Sequence, residues 1–316
     1  MTSSPWRTPP TTGADRALDG RYPPGSTFKA VSTTALLATG LTPDQAVPCP
    51  ATATVDGRSF PATSRARPWE DVPFAVDFAQ SCNTAFVGLS DRLGASDLPD
   101  AAAAVGIGGG WGRRARRGGL HRRRARRRRP RGPRRGHDRP GHGAGQPGAM
   151  AVAASTIARG SWTAPRLVLD PRPPPRPVRR PIRRPARSAS ASASASAGTS
   201  AAQPQPDAAR LAVVSDLMRR VATSGTASAL SDVPGAPVHA KTGTAEYGSG
   251  DAPPTHAWVI GFQGDLAFAV LVENGTSGGT TAVPVARPSC GPWPEGRHRV
   301  RRRTSTPSTT PSLHPS

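Results

Sequence analysis

Of the 42 lysine and arginine residues in this 316-residue chain, two are lysines, Lys29 and Lys241, and each sits inside a short polar motif. The first motif is Ser26-Thr27-Phe28-Lys29 and the last is Lys241-Thr242-Gly243-Thr244, with Ser81-Cys82-Asn83 between them. A chain that uses arginine almost everywhere else keeps an amine at two places, and only an amine can be neutralised by burial and then accept a proton. Ser-x-x-Lys at a helix start puts hydroxyl and amine on one face, a turn apart. Free N–H groups and the positive dipole end there favour a developing oxyanion. A desolvated lysine loses its proton more readily and can activate the serine. On a strand, Gly243 lets a backbone or ligand approach closely, while Lys241, Thr242 and Thr244 offer donors along one edge to a peptide carboxylate. Each motif alone has a plainer reading: an N-cap serine with a solvated lysine, two polar residues on a helix or loop, an edge strand guarded by a lysine. Cys82 reads as a small core residue rather than a reactive thiol. All three together, in this order and each in a fitting local context, would arise by chance on the order of once in thousands of sequences.

The elements that must carry these groups follow from local pattern. Tyr22-Pro23-Pro24-Gly25 is a turn, since this run cannot enter a helix interior. A helix then runs from Ser26, with Phe28, Val31, Ala35, Leu36 and Leu37 at helical spacing, and Gly40 closes it. A hairpin is expected before about Phe60, and residues 73–94 read as helical with Gly94 as the stop. A helix to Ala158 and a strand over 165–169 follow, then an amphipathic helix over 208–221 with Leu211, Val214, Leu217, Met218 and Val221 on one face. Segments 237–247, 256–262 and 266–273 read as strands, the last two as an antiparallel hairpin. Helices first and antiparallel strands last make an α+β domain with the site between its layers.

Composition misleads when averaged. The net charge of +22 would ordinarily suggest nucleic acid or an anionic surface. The charge is concentrated, however: 113–139 holds 15 arginines in 27 positions, and 171–187 is a Pro/Arg tract. A basic protein binding nucleic acid or an anionic polymer through 113–139 is the alternative from charge alone, but that run has no interleaved aromatics and no adjacent binding fold. The three cysteines, Cys49, Cys82 and Cys290, have no metal-ligand spacing and leave the redox compartment undetermined. Residues 1–20 contain no apolar stretch approaching 18 residues.

The order S-x-x-K, S-x-N, K-T-G resembles the signature of penicillin-binding proteins and serine β-lactamases. Arg21-Tyr22-Pro23-Pro24-Gly25-Ser26-Thr27-Phe28-Lys29 is most similar to the class B penicillin-binding proteins, and so is Phe78-Ala79-Gln80-Ser81-Cys82-Asn83-Thr84-Ala85-Phe86. Thr223-Ser224-Gly225-Thr226-Ala227, Lys241-Thr242-Gly243-Thr244-Ala245-Glu246, His256-Ala257-Trp258 and Glu273-Asn274-Gly275 match the same family's C-terminal part. The resemblance covers roughly 16–107, 149–170 and 207–287. It implies a penicillin-binding transpeptidase fold, an antiparallel sheet with helices on both sides plus a helical subdomain, here incomplete. It also implies a serine D,D-transpeptidase that cross-links peptidoglycan stem peptides through an acyl-enzyme and binds β-lactams as inhibitors. Ser26 would be the nucleophile, Lys29 its general base, and Ser81 a proton relay to the leaving amine. Asn83 would hold the substrate amide, and Lys241, Thr242, Gly243 and Thr244 would form the carboxylate site, with the N–H groups of Ser26 and Thr244 as oxyanion hole. No cofactor or metal is implied. Partners would be membrane proteins of cell division or elongation, at the outer face of the cytoplasmic membrane, where the family is held by an N-terminal anchor not seen in this chain. A D,D-carboxypeptidase or β-lactamase shares the three motifs and uses water as acceptor.

The chain departs from the family in stretches that break the domain: 1–15 does not conform, 16–287 is a partial transpeptidase domain, and 108–148 is arginine-rich where the family has an ordered segment with Gly-Gln-Gly. Codons for 137–148, read one base away, can encode Thr-Thr-Gly-Gln-Gly-Thr-Val-Leu-Ala-Ser-Pro-Ala. Those for 288–294 can encode Phe-Leu-Arg-Ala-Leu-Ala, so both 108–148 and 288–316 read as out-of-frame text. The tract 171–206 is a low-complexity linker or a third such segment. Helix and strands are therefore expected around Ser26, Ser81 and Lys241, with 113–140, 171–206 and 288–316 as coil. The chain as written is not expected to make a stable domain, because a net stability of about 5–15 kcal/mol does not survive loss of several core elements at about 1.5–3 kcal/mol per buried Leu or Phe.

Overall fold

The structure, a computed structural model, describes residues 15–55, 57–62, 69–108, 145–165, 205–249 and 252–291. Helix and strand do form around all three motifs. The element order is α1 (Arg16–Asp19), a 3-10 turn (Gly25–Phe28), α2 (Lys29–Ala38), β1 (Ala46–Cys49), β2 (Thr52–Val55), β3 (Arg58–Pro61), β4 (Trp69–Pro73), α3 (Phe74–Gln80), α4 (Asn83–Gly88) and α5 (Asp97–Ala104). Then come α6 (Pro147–Arg159), α7 (Ala208–Ser224), β5 (Val238–Glu246), β6 (Thr255–Gln263), β7 (Leu266–Val272), a π turn (Gly278–Ala282) and α8 (Val283–Ala286). This is an α+β mixture of helices and antiparallel sheets.

The main sheet has the order β5-β6-β7, with Lys241 opposite Ile260, Gly243 opposite Trp258 and Ala257 opposite Val272. Every residue of β6 after Thr255 is buried, so the strand is covered on both faces. The apolar face of α7 (Leu211, Val214, Leu217, Met218 and Val221) is fully buried, and this helix packs on β5, α2 and α3. Helix α6 packs on β6 and β7, ending at Gly160 in the left-handed region. A two-stranded pair β1-β4 and the hairpin β2-β3 lie to one side.

Three expectations change. Residues 73–94 are not one helix: Ser81 adopts φ 62°, ψ 38°, which ends α3 and lets α4 start anew from Cys82. Gly145 of the arginine-rich stretch pairs with Tyr22, and Pro147 and Gly148 open α6, so the last part of 108–148 belongs to the fold. The tail begins with a 3-10 turn, Arg287–Ser289, rather than coil, held by bidentate pairing of Arg287 with Asp232. Most of the remaining coil segments and most of the 165–169 strand lie outside the described residues.

Candidate active site

The Ser26 turn is seated against β5 through two glycines, Gly25 and Gly243. Gly25 has φ +53°, and a Cβ there would stand 2.4 Å from Thr244 O. A Cβ on Gly243 would meet Thr27 N at 2.8 Å and Pro24 O at 3.0 Å. Backbone atoms cannot yield as a flexible side chain can, so these two glycines set the distance between the Ser26 and Lys241 motifs. Thr27 Oγ1 donates to Pro24 O at 2.6 Å and Trp258 Nε1 donates to Pro23 O at 3.0 Å, fixing the Pro-Pro-Gly turn. Tyr22 donates to Glu273 Oε1 at 2.8 Å, anchoring the approach to the turn at the end of β7.

Ser26 is half-buried on this turn and Lys29 is the first residue of α2, so hydroxyl and amine share one end of the helix. The Lys29 amine turns to the second motif. Its Nζ donates to Ser81 O at 2.8 Å, Cys82 O at 3.2 Å and Asn83 Oδ1 at 2.7 Å, with Ser81 Oγ at 3.4 Å. Among the described residues no hydrogen bond joins it to Ser26 Oγ. The left-handed backbone at Ser81, which costs on the order of 1 kcal/mol or more for a residue other than glycine, presents both carbonyls to one amine.

Lys241 is completely buried and donates from Nζ to Ser81 Oγ at 2.8 Å and Thr242 O at 3.2 Å. Ser81 Oγ therefore stands between two lysine amines. Phe86 lies under Lys29, 5.0 Å from Nζ to the ring centroid, and Phe78 under Lys241 at 5.6 Å. Burial pushes the Lys29 amine well below its ordinary value, repulsion by Lys241 lowers it further, and buried Asp77 opposes both. Burial brings Lys241 down to about 7. A neutral Lys29 keeps two N–H donors, enough for Ser81 O and Asn83 Oδ1, and has a lone pair for a proton. Lys241 near neutrality can hold one. The arrangement can pass a proton along Lys29, Ser81 and Lys241.

Thr242 is buried and its Oγ1 lies 2.5 Å from Thr226 Oγ1, whereas Thr244 is exposed and accepts from Gly278 N at 3.3 Å. The Lys241 ammonium, aimed inward at Ser81, does not lie with the Thr244 hydroxyl on the surface of the strand. Sequence reasoning missed Asp77, Phe78, Phe86 and Cys49. A lone Asp inside the apolar run of α3 was the available signal for the first. Cys82 is buried as expected, but it is not simply a core residue: Cys82 and Cys49 of β1 form a disulfide, and Cys290 is the free thiol. Their 33-residue separation carried no recognisable spacing.

A turn-borne serine, two buried lysines bracketing a second serine, and a glycine-bearing strand packed on that turn are thus brought together on an α+β fold. The penicillin binding protein transpeptidase domain family matches residues 1–290, and the chain belongs to that family. It is 33% identical over 291 residues to the peptidoglycan D,D-transpeptidase PbpA of Mycobacterium tuberculosis, covering 86% of this chain and 55% of that protein. It is 30% identical over 294 residues to PbpA of Mycolicibacterium smegmatis, with the same 86% and 55% coverage. Among solved structures, the penicillin G acyl-enzyme complex of penicillin-binding protein A from M. tuberculosis superposes with a TM-score of 0.60 at 27% identity, covering 87% of this chain and 62% of that one. The chain thus spans about half the length of these curated relatives.

Proposed function

We propose that this chain is the catalytic part of a D,D-transpeptidase that cross-links peptidoglycan stem peptides through an acyl-enzyme on Ser26. The observation that carries the reading is the placement of Ser81 Oγ 3.4 Å from Lys29 Nζ and 2.8 Å from Lys241 Nζ. The Lys29 lone pair takes the Ser26 proton as Oγ attacks the carbonyl carbon of the penultimate D-Ala. The N–H groups of Ser26 and Thr244 receive the oxyanion. The intermediate collapses as the C–N bond breaks, and Ser81 delivers a proton to the departing D-Ala amine, itself resupplied from the protonated lysine. The amine of a second stem peptide then attacks the ester, its proton returns to Ser26, and a peptide bond replaces the ester. Asn83, with Oδ1 bound to Lys29, directs its Nδ2 donors to the substrate amide. Thr242 and Thr244 bind the terminal carboxylate, and protonated Lys241 supplies its countercharge from beneath. β-Lactams acylate the same serine.

The Cys49–Cys82 disulfide supports work on the oxidising side of the cytoplasmic membrane, with membrane proteins of division or elongation as partners. Incubation with a labelled stem pentapeptide and an amine acceptor peptide tests the reading. Cross-linked dimer is expected. Release of D-Ala without dimer would make the enzyme a carboxypeptidase instead.

A further inference from the structure

The segment Thr223-Ser224-Gly225-Thr226-Ala227 resembles the family in sequence, yet the reaction above gives it no task. It runs off the end of α7, whose last residues are Thr223 and Ser224, and touches both of the other site elements. Gly225 lies against the last turn of α3, where a Cβ would stand 2.3 Å from Ala79 O. Thr226 N donates to Ala79 O at 3.2 Å, and Gln80 Nε2 donates to Ser224 O at 2.9 Å, so the segment is fastened just before Ser81. The Thr226 side chain goes the other way, to Thr242 Oγ1 at 2.5 Å on β5.

We infer that Thr226 is a positioning residue for the carboxylate site, and that it acts by donating its hydroxyl proton to Thr242 Oγ1. Only one proton can lie between two hydroxyl oxygens. If Thr226 donates it, the Thr242 proton is free to point at an incoming carboxylate, and the two bonds polarise in the same direction. If Thr242 donated inward, its oxygen would face the anion without a proton. An anionic ligand therefore selects the first arrangement. Thr226 does not touch the ligand. It sets the direction of the group that does.

The inference rests on the acyl-enzyme reading, and one experiment separates the two. Acylation by benzylpenicillin is compared with acylation by its methyl ester, which has no carboxylate. In Thr226→Val the second-order rate constant for the acid should fall roughly three- to tenfold, the worth of one hydrogen bond. The ester should be unaffected and Thr226→Ser should restore the acid rate. Adding Thr226→Val to Thr242→Val should cause no further loss. Equal losses for acid and ester, or no loss for the acid, would overturn the inference. Should Thr226→Val lack the native melting transition, Thr226→Ala gives the same comparison. If neither compound acylates the unsubstituted chain, the acyl-enzyme reading fails first.

Discussion

Breaking the Cys49–Cys82 disulfide should both destabilise the domain and slow the chemistry, because Cys82 is the residue between Ser81 and Asn83. The bridge closes a loop of 33 residues. In the chain-entropy account, a loop of that length restricts the unfolded chain by about 4 kcal/mol at 25 °C, a large part of the net stability of about 5–15 kcal/mol typical of a domain. The native side responds as well. Lys29 holds the Ser81 and Cys82 carbonyls from one direction while the disulfide holds Cys82 to β1 from the other. Removing the covalent tether leaves the left-handed Ser81 turn to hydrogen bonds alone, from the Lys29 and Lys241 amines and from its own backbone to Phe78 O and Asp77 O. Urea unfolding, followed by the fluorescence of the tryptophans including fully buried Trp258, measures the first effect. The rate of acylation by a fluorescent penicillin measures the second. Thiol titration of the denatured chain should find one thiol before reduction, Cys290, and three after it. Cys49→Ala, or reduction confirmed by that titration, should cost about 4 kcal/mol and lower the acylation rate. An unchanged unfolding curve together with an unchanged acylation rate would refute the assignment of the second motif's position to this tether.

Other outcomes follow from the same geometry. Both lysines titrate below their unfolded value of 10.5; the unfolded chain therefore binds more protons between about 7 and 10.5, and stability should rise with pH across that window. For Lys241 the gap is worth at most roughly 5 kcal/mol, and a urea midpoint that falls between pH 7 and 9.5 would contradict it. Gly243→Ala places a methyl 2.8 Å from Thr27 N; it should cost about 1–3 kcal/mol by overpacking and abolish acylation, whereas near-normal labelling would show that the turn and strand need not be so close. At the gene level, a reading one base away from the frame should give Gly-Gln-Gly over 137–148. An uninterrupted frame without that reading would give the arginine run a biological origin.

The parts of the fold that rest on local pattern were legible in the chain. The buried stripe of α7 came from helical spacing, and the β6–β7 hairpin from apolar runs around Gln263-Gly264-Asp265. The three motifs could be ordered because each keeps its residues within four positions. What could not be read depends on contacts distant in sequence. Ser81 breaks its helix because Lys29, 52 positions earlier, holds the carbonyls that the left-handed turn exposes. Lys241 faces Ser81 rather than the open strand edge because β5 packs it inward, 160 positions from its acceptor. The disulfide partner of Cys82 lies on a strand whose position depends on β4, not on any cysteine spacing. The expectations for the arginine-rich run, most of the 171–206 tract and most of the tail concern residues outside those the structure describes.

The most direct test of the whole account is covalent. The chain is incubated with benzylpenicillin, digested, and the adduct located by mass spectrometry. A penicilloyl ester on Ser26, absent from Ser26→Ala and greatly slowed in Lys29→Ala, is the predicted result. An adduct on any other residue, or none on a chain shown to be folded, would contradict the claim that Ser26 is the nucleophile of this site.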